Sequence, residues 1–165
     1  MKYLLFAEGF MLKGGFVFKE IAFYCVETNV LKQYIINSPP KLFENLNHRE
    51  RKTVMYCENN LHKIKWFTRG KSFQHVKYLI NRELKSGDEI YTKGDQMKKF
   101  IELQLNPKCR VIDFDSTLSS GVWFDKTMNE SGFCQLCFHQ DTYHCAVNKA
   151  YVCLSIMKQL HGNEE

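Results

Sequence analysis

The sequence predicts an α/β domain, a mixed five-stranded sheet with helices on its faces. Three observations carry this. Residues 1–36 hold three aromatic and β-branched runs separated only by short turns, the apolar period then lengthens toward that of a helix, and from Glu89 onward short strands and a helix alternate.

Lys2 to Ala7 (KYLLFA) reads as an apolar strand, and Gly9, Gly14 and Gly15 supply turn chemistry behind it, so a hairpin is expected. Phe16 to Val26 is the second strand, Glu27 to Asn29 a turn, and Val30 to Ile36 the third strand, ending before Pro39 and Pro40. Arg49 to Leu61 and Phe73 to Leu84 read as helices, the second with Phe73, Val76, Ile80 and Leu84 on one stripe. Glu89 to Lys93 is a strand, Asp95 to Leu105 a helix burying Met97, Phe100, Ile101 and Leu105, and Arg110 to Phe114 a strand. Ser116 to Met128 is weakly helical, Asn129 to His144 is a cysteine-rich loop, and Cys145 to Leu160 is a helix burying Ala146, Val147, Ala150, Leu154 and Met157.

Of the 165 residues 44% are hydrophobic and 14% aromatic, with three prolines, so burial can offset ordering entropy and disorder is excluded for most of the length. No linker, repeat or low-complexity tract interrupts the chain, and residues 1–161 are expected to form one domain with 162–165 as a tail. The longest apolar run, Ile21 to Val26, is far shorter than the roughly 20 residues of a membrane span. Met1 to Phe10 carries Glu8 and lacks a small-residue cleavage pattern, which makes it a first strand rather than a signal peptide. The seven cysteines are an odd number, so reduced thiols or metal ligands are expected in place of a disulfide framework, and with them an intracellular site, cytoplasmic or nuclear. The sequence contains no GxxxxGK[ST] loop, GxSxG elbow or HExxH pair, and nothing supports use of a nucleoside triphosphate or a nicotinamide.

Lys and Arg number 23 against 18 Asp and Glu, a net charge of +5. The excess is concentrated in the middle third, where Arg49, Arg51 and Lys52 are followed by Lys63, Lys65, Arg69 and Lys71 around Trp66. Cations with an interleaved aromatic are what single-strand binding uses, charge for phosphates and a ring for bases, so Lys63, Lys65, Trp66, Arg69 and Lys71 are the candidate nucleic-acid contacts. A solvated helix face shows the same cations, and Trp66 beside Phe67 is also a core-packing pattern.

Cys134, Cys137, His139, His144 and Cys145 gather five candidate metal ligands in one short stretch (CQLCFHQDTYHC). A CxxC pair at a turn brings two thiolates to one ion, and structural zinc needs two more ligands, here from His139, His144 and Cys145. Buried reduced thiols beside a loop histidine are the competing account. Cys25, Cys57, Cys109 and Cys153 fall on apolar faces and are expected in the core.

The element order β β β α α β α β α α matches the ribonuclease H-like fold, and within it the chain resembles the DEDD 3′-5′ exonucleases. In that family the first strand ends Asp-x-Glu and the last helix opens His-x-Ala-Leu-x-Asp-Ala. Here the strand ends Phe6, Ala7, Glu8, and the helix opens His144, Cys145, Ala146, Val147, Asn148, Lys149, Ala150. Phe6 and Lys149 stand where the family has acids, and Asp95, the middle-motif candidate, lies about two residues early relative to Phe100. The resemblance thus implies a nuclease scaffold without two-metal chemistry, with Glu8, Asp95 and His144 as vestigial site residues. Because it reserves His144 for the old cleft, it favours Cys134, Cys137, His139 and Cys145 as zinc ligands. The chain also resembles small open reading frames of insects and their viruses or mobile elements, which implies no function.

The reading is a binding module for single-stranded nucleic acid or a nucleic-acid-processing protein, with structural zinc and no membrane association. Two alternatives stand beside it. One is an active exonuclease using magnesium or manganese, with Glu8, Asp95 and either Asp113 or Asp115 as ligands and His144 as base. The other is a protein-interaction domain without nucleic acid.

Overall fold

A computed structural model of the chain describes residues 1–38, 40–116 and 145–162. Its sheet has the order β3-β2-β1-β4-β5. Strands β1 (Lys2–Leu12), β2 (Gly15–Cys25) and β3 (Val30–Ile35) form an antiparallel meander, and β4 (Glu89–Thr92) and β5 (Arg110–Asp113) extend it in parallel beside β1. The described helices are α1 (Pro40–Glu44), α2 (His48–Asn60), α3 (Phe73–Glu83), α4 (Asp95–Phe100), which continues as a π turn over Ile101–Leu105, and α5 (Ala146–Gly162). The expected α/β class with a mixed five-stranded sheet is present. The cysteine-rich loop, the expected weak helix after the 3-10 turn Phe114–Ser116, and residues 163–165 lie outside the described residues. Among the described residues no helix is long and apolar enough to cross a membrane.

β1 runs five residues beyond its expected end at Ala7, because Gly9 is a strand residue and not part of the turn. A Cβ there would lie 1.9 Å from the carbonyl oxygen of Val17, so only glycine lets the two strands approach. Glu8 pairs with Glu20 and Gly9 with Phe18, which leaves Lys19 as the extra residue of a β-bulge. One inserted residue exchanges the faces of β2. Ile21 and Phe23 share a core with Phe16 and Phe18 from the far side of the bulge.

The two faces are covered by different helices. Tyr3, Leu5, Ile21 and Phe23 pack with Val76 and Ile80 of α3 and with Ile101 and Leu105. These helix residues are the ones their spacing predicted. On the opposite face, Leu4, Phe6, Ala22 and Tyr24 pack with Ala146, Val147, Ala150, Leu154 and Met157 of α5. Beyond the bulge Phe10 joins a third core with Val54, Cys57 and Trp66, covered by α2. Asn47 starts α2 with a capping box, its side chain accepting from Glu50 N while the Glu50 carboxylate accepts from Asn47 N.

Candidate functional site

Along β1 the alternation Leu4, Phe6, Glu8, Phe10 places Glu8 between the α5 core and the Trp66 core. Its cross-strand partner Glu20 faces the same way, so two buried glutamate residues, 8% and 1% exposed, lie side by side between the two apolar cores. Gln33 of β3 donates to Glu20 Oε1 at 2.9 Å. From the first turns of α5, Lys149 Nζ donates to Glu8 Oε1 at 2.5 Å. The last helix is fixed over the sheet by the small Ala146 and Ala150, both 1% exposed or less, and this close seating brings Lys149 to the strand.

The seam continues at the carboxyl ends of β4 and β5. Lys93 follows β4, and Asp113 ends β5, where its Oδ1 accepts from Gly94 N at 2.9 Å and from Asp115 N at 3.0 Å. Burial lowers the Lys93 pKa; the charge of Lys149 lowers it further, while Asp115 and Asp113 act in the opposite sense. Burial, assisted by Asp113, raises the Asp115 pKa against the pull of Lys93. Lys149 is thus bonded to Glu8, and Lys93 lies within electrostatic reach of Lys149, Asp113 and Asp115.

Asp95 does not join them. Its side chain is 67% exposed and pairs with Lys99 one turn along α4 at 2.6 Å, which corrects its expected place in the cleft. Among the described residues no three His, Cys, Asp or Glu side chains converge as metal ligands, and the ammonium on Glu8 is a poor neighbour for a divalent ion. His144, Cys134, Cys137 and His139 lie outside the described residues. Cys145 is buried in the α5 core, and Cys25, Cys57 and Cys153 are buried as expected, with Cys109 partly so.

The basic segment forms a second candidate surface. After α2, Ile64 and Trp66 are buried while Lys63, Lys65, Phe67, Arg69 and Lys71 are exposed, so every second side chain faces solvent. Trp66 is 1% exposed, packed against Phe10 and Phe43 with ring centroids 5.2 and 5.6 Å away. The expectation that it offers a stacking face is therefore corrected: the exposed ring is Phe67, 63% accessible and edge-on to Phe43, over which the Arg51 guanidinium lies.

Hydrogen bonds with Lys19, Glu58, His62 and the end of β3 hold this alternation. Lys19, the bulged residue, is fully buried and donates from Nζ to the carbonyls of Trp66 at 2.8 Å and Thr68 at 3.2 Å. Glu58 accepts from Trp66 N at 2.6 Å. Lys71 N donates to Ile35 O at 2.8 Å and Asn37 N to Lys71 O at 2.9 Å, tying the segment to the end of β3. Gly70 makes that approach possible, since a Cβ there would lie 2.0 Å from Ile35 O. His62 anchors the start: its Nδ1 accepts from Ile64 N at 3.0 Å, so Nε2 carries the proton donated to Gly9 O at 2.9 Å.

Lys19, Glu20 and Phe67 were not singled out from the sequence. The alternation of Ile64 and Trp66 with cations was the available signal for Phe67. No family model, curated protein or solved structure matches the chain.

Proposed function

We propose that the chain is a catalytically degenerate, exonuclease-like domain of ribonuclease H-like fold that acts as a nucleic-acid- or nucleoprotein-binding module with a structural zinc site. The observation carrying this reading is the Lys149–Glu8 pair at 2.5 Å. An ammonium neutralises a carboxylate but offers only donors, so it cannot bridge carboxylate and phosphate oxygens as a divalent ion does. The sheet order, with an antiparallel meander extended by parallel strands beside β1, supports the scaffold assignment. Phe6, 2% exposed in the α5 core, supplies no ligand at the other expected acid position.

Binding falls to the outward row Lys63, Lys65, Phe67, Arg69 and Lys71, which presents cations on both sides of an exposed ring. Zinc held by Cys134, Cys137, His139 and Cys145 would tie the segment before α5 to the start of that helix, with Cys145 as its buried anchor.

The direct test is fluorescence anisotropy of a labelled single-stranded oligonucleotide titrated with the full chain from about 50 to 200 mM salt, the range over which phosphate contacts weaken steeply. Saturable, salt-sensitive binding is expected. Absent or salt-independent binding overturns the nucleic-acid assignment and favours a protein partner.

A further inference from the structure

We propose that the cleft between the tip of the β1–β2 hairpin and the start of α3 binds a small amphipathic molecule with an apolar body and one anionic head. The cleft encloses about 590 Å³, inside the range of roughly 300–1,000 Å³ that small-molecule sites occupy. Phe16, Phe18, Ile36, Leu42, Leu46 and Phe73 make its walls mainly apolar. Two polar features on those walls call for the same kind of ligand atom.

The first is Ser38, which is 8% exposed and whose Oγ has no hydrogen-bond partner among the described residues. A buried hydroxyl left in that state is unfavourable, and an acceptor on a bound molecule would satisfy it. The second is the start of α3, an 11-residue helix whose cap Ser72 and first residues Phe73 and Gln74 also line the cleft. Ser72 Oγ accepts from His75 N at 3.2 Å and Ser72 O from Val76 N at 3.1 Å. The amides of Phe73 and Gln74 are left without intrahelical acceptors at the positive end of the helix dipole.

Glu50 is the carboxylate on the wall, and it sets the orientation of the ligand. Its oxygens accept from Asn47 N at 3.0 Å and Lys13 N at 3.4 Å, at the start of α2. The anionic head therefore sits at the α3 end with Ser38, and the apolar body extends along Leu42 and Leu46.

The probe is dodecanoate below its micellar concentration, titrated calorimetrically into the full chain, with dodecan-1-ol and dodecylammonium as neutral and cationic counterparts. Saturable one-to-one binding of dodecanoate is expected, about tenfold tighter than either counterpart. Ser38→Ala should weaken dodecanoate about five- to tenfold, the scale of one ordinary net hydrogen bond, and leave dodecylammonium unchanged. Leu42→Trp, at a position 37% exposed on the rim, should block all three. Absence of saturable binding, equal affinity for the three head groups, or no effect of Ser38→Ala overturns the proposal, and the head-group series holds whether or not the tryptophan variant folds.

Discussion

Lys149 Nζ lies 2.5 Å from Glu8 Oε1, joining the last helix to the first strand across 141 residues. Both side chains are largely withdrawn from water, 22% and 10% exposed. For such a pair the attraction roughly offsets desolvation, so its net contribution is small, whereas removing one partner leaves a buried charge undercompensated. Lys149→Met should therefore destabilise the domain by about 3 kcal/mol, and Glu8→Gln combined with Lys149→Met should recover most of that loss. Urea denaturation with unchanged m-values measures it. A single variant within about 0.5 kcal/mol of the parent would mean the pair is solvated and of no structural weight.

The same ammonium leads to a prediction about chemistry. Incubated with labelled single-stranded or duplex substrates and magnesium or manganese, the chain should leave them intact, because Phe6 and Lys149 supply no metal ligand and Asp95 faces solvent beside Lys99. Processive shortening from the 3′ end that vanishes in Glu8→Ala would restore the enzyme reading.

Much of the fold was legible because it is local. The change of period from two to that of a helix located the strands and helices, and the stripes Val76–Ile80 and Ala146–Ala150 found their cores. Gly9 misled because a glycine that admits a close strand contact and one that turns the chain are indistinguishable in sequence; the contact with Val17 O decides between them. The resemblance at the helix opening drew attention to Lys149, but no periodicity links it to Glu8, and only the folded chain brings the two together. Lys19 and Glu20 look like solvated strand residues until the bulge turns them inward. Composition left Trp66 open between a stacking face and the core; its burial decides for the core, and its cationic neighbours face the other way.

Lys19 makes stability depend on pH. Burial pushes its ammonium down to about 8 from an ordinary value near 10.5, with Glu58 partly opposing the shift. Between those values the unfolded chain binds the extra proton, so the Lys19 contribution becomes more favourable as pH rises through this window and is least favourable below it. The stability of the parent minus that of Lys19→Met should rise by on the order of 1–3 kcal/mol from pH 8 to 10.5. A difference that stays flat would show that the amine titrates as though solvated.

Zinc bound only by the folded form should stabilise it by mass action. Protein prepared without added metal should carry about one zinc per chain, and chelation or Cys134→Ser should lower the melting temperature. No zinc, together with seven reduced thiols titratable once the chain is denatured, would leave only the buried-cysteine account.

The basic segment separates binding from folding through two adjacent aromatics. Phe67 is exposed and Trp66 is buried, so their substitutions should act on different quantities. Phe67→Ala should weaken single-strand binding by about 1–3 kcal/mol, the cost of one lost stacking contact, with little change in stability. Trp66→Ala should instead destabilise the fold by about 3–5 kcal/mol through loss of its packing against Phe10 and Phe43. For the charges, each phosphate neutralised on a single strand contributes about −0.7 to the slope of log affinity against log salt, so replacing Lys63 and Lys65 together should reduce the slope by roughly 1 to 2 units. Lys65 also lies 3.3 Å from Asn59 Oδ1 and 3.9 Å from Glu58, so the variant pair needs a stability control by urea denaturation. An unchanged slope in a folded double variant would identify the row as a solvated face, and a Phe67→Ala protein that binds as tightly as its parent would remove the ring from the interface.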